Sequence, residues 1–159
     1  MQKKERSSIR KIITDDKVEK ESRVAAKEEA ERRKRVLERQ KLYNEIEEAM
    51  QKDRKTDKVT RCVLEFNEKT KEAVVEVDRE LVRQMKPHQV DGVKFLYNTT
   101  IESIEQLTKN KPGGGAILAH CMGLGKTFQT ICLIHTLLTH KILRKHFKRI
   151  MVVCPCNVV

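Results

Sequence analysis

The chain has 159 residues and a formal net charge of +11, from 34 Lys/Arg against 23 Asp/Glu, with 38% hydrophobic residues and no tryptophan. It holds no apolar run of roughly 18 residues and no signal-peptide core, which argues against a membrane-spanning or secreted chain. The first 60 residues carry 19 Lys/Arg and 14 Asp/Glu and are too polar to bury a core, so the core must come from the remaining 99, which carry 15 and 9.

From Gln106 onward there is no Asp or Glu against eight Lys/Arg, a bias that suits a polyanion such as ATP or nucleic acid. The five cysteines, Cys62, Cys121, Cys132, Cys154 and Cys156, are odd in number and form no Cys-x-x-Cys pair. That pattern fits a reducing, intracellular compartment better than a disulfide framework. Cys154-Pro155-Cys156 is half a metal site with no second pair, and His135 and His140 are five apart rather than four, so no zinc template is filled.

Residues 1–16 are basic and unpatterned and read as a flexible lead-in. Lys17 to Met50 contain neither Gly nor Pro and are rich in helix formers. Acids precede bases by four residues at Glu19–Arg23, Glu28–Arg32, Glu29–Arg33 and Glu31–Arg35, each pair worth roughly 0.2–0.5 kcal/mol to a solvated helix. Val36, Tyr43, Ile46 and Met50 form a stripe in the second half, as in a helix that docks only by its last turns. Within it, Arg32-Arg33-Lys34-Arg35 has the form of a nuclear-import cluster.

Lys52 to Lys58 is a polar linker. Val59 to Phe66 and Ala73 to Val77 are β-branched runs around a polar turn, which predicts a hairpin. Pro87 opens a helix whose face runs Val90, Val93, Tyr97, Ile101 and Ile104. Lys109 to Gly115 ends it, and Ala116 to Ala119 reads as a strand. A glycine-punctuated loop, a long apolar helix through Phe147 and a second buried strand, Arg149 to Pro155, follow. Lys141, Arg144, Lys145 and Lys148 crowd the helix end, favourably for its dipole. Strand, loop, helix, strand predicts one right-handed βαβ unit of a parallel sheet.

The loop has the layout of a phosphate-binding loop. Its glycines let backbone N–H groups converge on phosphates, Lys126 reaches the outer phosphates, and the Thr127 hydroxyl helps hold Mg²⁺. The strict pattern, Gly-x-x-x-x-Gly-Lys-Ser/Thr, fails at its first position, which is His120. Adjacent His120 and Cys121 cannot easily face each other as a catalytic pair. They are expected to shape the loop, with Cys121 packed.

Three blocks carry a resemblance: Lys86-Pro-His-Gln-Val-Asp-Gly-Val93, Ile117-Leu-Ala-His-Cys-Met-Gly-Leu-Gly-Lys-Thr-Phe-Gln129 and Val152-Val-Cys-Pro155. They resemble the start of the ATPase motor of Swi/Snf-type chromatin remodellers. Where most of that family has Asp-Glu, His120-Cys121 looks like its ATRX branch, and the charged helix beginning near Arg10 is similar as well.

The resemblance implies an α/β fold: a partial P-loop, RecA-like lobe preceded by a long charged helix and a hairpin. It divides the chain into a helical extension and linker (1–58), the hairpin and lead-in (59–85) and the start of the helicase ATP-binding lobe (86–159). It implies ATP-driven translocation on double-stranded DNA, acting on nucleosomes in the nucleus. Lys126 would be catalytic, Met122, Gly123, Leu124, Gly125, Lys126 and Thr127 would hold ATP, Thr127 would hold Mg²⁺, and Gln89 would lie by the adenine. Such a motor needs a downstream Asp-Glu pair and a second lobe, and no carboxylate follows Glu105. The chain therefore reads as a fragment that would not hydrolyse ATP alone, with histone or chaperone partners engaged by regions outside it. The alternatives are another P-loop NTPase, or a non-catalytic protein whose charged helix binds chromatin.

Overall fold

The structure, a computed structural model, describes residues 15–51, 61–109 and 114–155. Residues 1–14 of the expected lead-in, the linker at Lys52–Lys58, Val59, Thr60 and Cys156 lie outside the described residues, and Asp15 and Asp16, expected in the lead-in, are helical. The chain divides into two compact units, Met1–Glu47 and Glu48–Val159.

The first unit is carried by helix α1 (Asp15–Gln51), which runs 37 residues. Its length follows from a segment without Gly or Pro whose side chains pair along the surface. Arg33 Nε lies 3.0 Å from Glu29 Oε1, the expected four-residue pair, and Glu29 also takes Arg32 at 3.8 Å. Val24 and Leu37 are exposed, whereas Tyr43 and Ile46 from the expected stripe are buried. No described helix is long and apolar enough to cross a membrane.

The second unit begins with the hairpin. Strands β1 (Val63–Phe66) and β2 (Ala73–Glu76) pair antiparallel, with Val63 opposite Glu76 and Phe66 opposite Ala73. The turn is held by Asn67, whose Oδ1 accepts from Lys69 N at 2.9 Å and Thr70 N at 3.3 Å, an arrangement asparagine favours. All four residues of β1 are buried, including Glu65, so this strand is covered on both faces.

Short helix α2 (Arg79–Val82) is capped by Asp78, whose side chain accepts from Glu80 N at 2.9 Å. Helix α3 (Pro87–Thr100) starts where the proline predicted it. Val90, Val93, Tyr97 and Ile101 form its buried face. The predicted helix does not continue through Ile104. Glu102 adopts φ 69°, the chain turns, and a separate helix α4 (Ile104–Thr108) begins behind its cap Ser103. Buried Glu65 explains the turn: its carboxylate accepts from Tyr97 Oη at 2.6 Å and from Ile104 N at 3.0 Å. One buried side chain thus ties the hairpin to α3 and to the start of α4.

Helix α5 (Lys126–Thr139) packs on α3 and closes the core with Cys132, Leu133 and Leu137. The single helix expected through Phe147 is instead two. At His140 the backbone becomes extended, and helix α6 (Leu143–His146) follows. His140 Nε2 donates to Val74 O of the hairpin at 3.1 Å, and Leu143 is fully buried after the break.

No parallel βαβ pair is present among the described residues. Residues 114–120 and 149–155 have no strand pairing, and the only sheet among the described residues is the two-stranded hairpin. Ile117 is 86% exposed and Val153 84% exposed, whereas parallel strands hold together with both faces covered. Residues 114–120 are covered on one side only, where Ala116 and Leu118 pack against the core, and residues 149–155 are exposed throughout.

Tyr97→Phe removes a hydrogen bond to a buried carboxylate while keeping the ring. It is expected to destabilise the chain by about 1.5–3 kcal/mol, read as a lower urea midpoint with an unchanged slope.

Candidate phosphate loop

The loop between Ala119 and α5 is built on two left-handed glycines, Gly123 at φ 84° and Gly125 at φ 77°. At Gly125 the requirement is double. A Cβ there would strain the backbone and would also lie 2.3 Å from Gln89 Nε2. Gly125 is the cap of α5, so the free N–H groups of a 14-residue helix open at this loop.

Lys126 points back along the loop: its Nζ donates to His120 O at 2.8 Å and to Cys121 O at 3.0 Å. The Thr127 side chain is exposed in the first turn of α5. Met122 is almost fully exposed and Leu124 partly so, which leaves the outer side of the loop open to solvent. The six loop and helix residues expected to hold a nucleotide are therefore contiguous on one accessible turn.

Gln89, expected beside a base, is buried at the start of α3 with both ends of its carboxamide engaged. Its Oε1 accepts from Lys86 N at 2.9 Å, and its Nε2 donates to Leu124 O at 3.2 Å. His88 Nε2 lies 3.3 Å from the same carbonyl. The His120 ring stands edge-on to His88 at 6.4 Å. Contrary to expectation, Cys121 is exposed rather than packed. The loop turns outward directly after His120, taking the next side chain with it.

Sequence reasoning did not assign roles to His88, Gly92 or Gln129, which border the loop. Gly92 carried a usable signal, since glycine inside a helix costs about 1 kcal/mol relative to alanine unless something must approach closely. Gln129 carried another, as a long polar side chain one turn from Cys132 and Leu133 on the buried face of α5.

The basic residues after α5 are all on the surface: Lys141, Arg144, Lys145, Lys148 and Arg149 are exposed. Within α1, Arg33 and Lys34 are exposed, while Arg32 and Arg35 are partly covered.

Residues 88–159, which take in α3, the loop and α5, match the SNF2-related domain. The chain belongs to the SNF2-related family. Within that family it falls on the ATRX branch. It is 44% identical over 151 residues to the transcriptional regulator ATRX homolog of Drosophila melanogaster, covering 95% of this chain and 11% of that protein. It is 48% identical over 158 residues to the transcriptional regulator ATRX of Mus musculus, covering 97% of this chain and 6% of that protein. Similarity to the mouse helicase ARIP4 is lower, 39% over 101 residues, or 64% of this chain and 6% of that protein. The chain thus spans about a tenth or less of the length of these relatives. No solved structure matches.

The cysteines give a direct check on the loop and the core. Cys121 and Cys154 are exposed and Cys62 and Cys132 buried, so a thiol reagent at neutral pH should label the first two and spare the second two. Burial pushes the Cys132 thiol above its ordinary range, so the folded chain keeps this proton where the unfolded chain has lost it. Stability from this group is complete below the ordinary thiol range and falls as pH rises through it. Replacing Cys132 with Ala should remove that alkaline component from urea melts recorded against pH.

Proposed function

We propose that the chain carries the nucleotide-binding part of an ATP-dependent, SNF2-type motor that translocates on double-stranded DNA. The observation that carries this reading is the loop itself. Two left-handed glycines, a lysine lying along the turn and the open N-terminus of α5 meet within residues 120–127.

These residues fit a nucleoside triphosphate with Mg²⁺. The N–H groups of Met122, Gly123, Leu124 and Gly125 and the Lys126 ammonium are donors suited to phosphate oxygens. The Thr127 hydroxyl suits a hard cation, and Gln89 takes the base side by exchanging its bond from Lys86 N for one to the base. ATP and Mg²⁺, when bound, supply the transferable phosphoryl group and its counter-charge. What the chain does toward them is to hold and orient. Lys126 already sits on two backbone carbonyls that a phosphate would outbid, because a full anion attracts an ammonium more strongly than a carbonyl dipole.

In this reading residues 114–120 and 149–155 become the first two strands of a parallel, RecA-like sheet once neighbouring strands cover them. Their exposed apolar side chains support it. The exposed lysines and arginines beyond α5, with no acid after Glu105, support duplex DNA and nucleosomes as partners. A nuclear site follows from that role, with the Arg32–Arg35 cluster in agreement.

A fluorescent ATP analogue with Mg²⁺ should bind the chain, and Lys126→Ala should weaken it by about 10- to 100-fold, the equivalent of a charge-assisted hydrogen bond. Equal binding by the variant would remove the basis of this reading. The 159-residue chain alone should show no Mg²⁺-dependent turnover, because no carboxylate after Glu105 is present to hold the metal and orient water. Turnover that disappears in Lys126→Ala would contradict that.

A further inference from the structure

Gln129 is fully buried in the first turns of α5, beneath the phosphate loop. Its Nε2 lies 3.3 Å from each of three acceptors: Leu124 O, Gly125 O and His120 Nδ1. Its Oε1 is buried and finds no hydrogen-bond donor among the described residues. Beside that oxygen lies Gly92 of α3, where an added Cβ would stand only 1.8 Å away. A residue that merely filled this space would be apolar, since a buried acceptor without a donor is costly. Rotating the carboxamide by half a turn does not help, because Oε1 would then face two carbonyl oxygens. The orphaned oxygen is therefore tolerated for the sake of what the N–H₂ group holds.

Of these acceptors, the carbonyl of the Leu124–Gly125 peptide is the one that other side chains also reach. Leu124 O accepts from Gln129 and Gln89, and His88 lies at hydrogen-bond distance from it. In a planar trans peptide the carbonyl and the following N–H point in opposite directions. Drawing Leu124 O inward therefore turns the Gly125 N–H outward, to the open side of the loop. The left-handed φ of 77° at Gly125 belongs to this orientation.

We propose that Gln129 is the positioning residue of the phosphate loop, and that Gly92 is glycine to admit it. Gln129 presets the Leu124–Gly125 peptide so that its N–H faces an incoming phosphate, and His120 steadies the carboxamide by accepting from it. The role in binding rests on the nucleotide reading above; the role in ordering the loop does not.

Two variants and their combination separate positioning from packing. Gly92→Ala alone should lower the melting temperature, because its methyl group meets Gln129. Gln129→Ala should leave the chain folded, lower the NMR order parameters of the backbone N–H vectors in residues 121–126 without nucleotide, and bind the Mg²⁺–ATP analogue about tenfold or more weakly. The Gly92→Ala/Gln129→Ala pair should recover the melting temperature of Gln129→Ala but neither the loop order nor the affinity. Gln129→Glu, equal in shape but without the donor, should behave like Gln129→Ala in both loop readouts.

Wild-type loop order parameters in Gln129→Ala, or recovery of loop order and affinity in the pair, would show Gln129 to be filler and overturn the proposal. If the wild-type chain binds no nucleotide, the functional reading fails, and loop order measured without nucleotide still decides the role of Gln129. Should Gln129→Ala not fold, Gln129→Glu carries the same comparison.

Discussion

Gly92 lets α3 approach α5 so closely that one added methyl group would sit 1.8 Å from Gln129 Oε1. Around that contact the apolar faces of the two helices meet, with Val93 on one side and Cys132 and Leu133 on the other, all well buried. The same contact sets the phosphate loop. Gln89 at the start of α3 and Gln129 near the start of α5 reach Leu124 O from the two helices. Packing and loop geometry are therefore one constraint: a change in the separation of the helices would move the carbonyl that orients the loop.

The hairpin is held to this helix pair by polar contacts as well as by its apolar face. Glu65 joins β1 to Tyr97 and to the first amide of α4, and His140 joins the end of α5 to Val74 in β2. Both contacts coincide with places where a helix stops. Hydrogen bonding of a buried carboxylate by an amide and a phenol offsets the cost of removing it from water. The hairpin, which has no chemistry of its own, thereby fixes where α3 and α5 end.

Charge and exposure divide the remaining chain. α1 is solvated along much of its length and is kept helical by local propensity and pairs such as Glu29–Arg33, which a 37-residue segment can accumulate. The segments at 114–120 and 149–155 are the opposite case, apolar and extended in pattern: the first rests on the core by Ala116 and Leu118 with Ile117 exposed, and the second is exposed throughout. Their sequence asks for more burial than the described residues supply.

By itself the sequence determined what depends on near neighbours. The long helix, the hairpin, the start of α3 at Pro87 and the glycine loop before Lys126 all follow from spacing, capping and turn chemistry acting over a few residues. Tertiary structure decided the rest, because contacts between distant segments outweigh local preference. It ended α3 at Ile101 through Glu65, broke the apolar helix at His140, turned Cys121 outward and left the two strand-like runs unpaired. It also gathered His88, Gly92 and Gln129 around the loop. No periodicity could reveal that Leu124 O, 35 residues from Gln89 and five from Gln129, is where their carboxamides converge. Local pattern specifies elements; only their packing specifies which atoms meet.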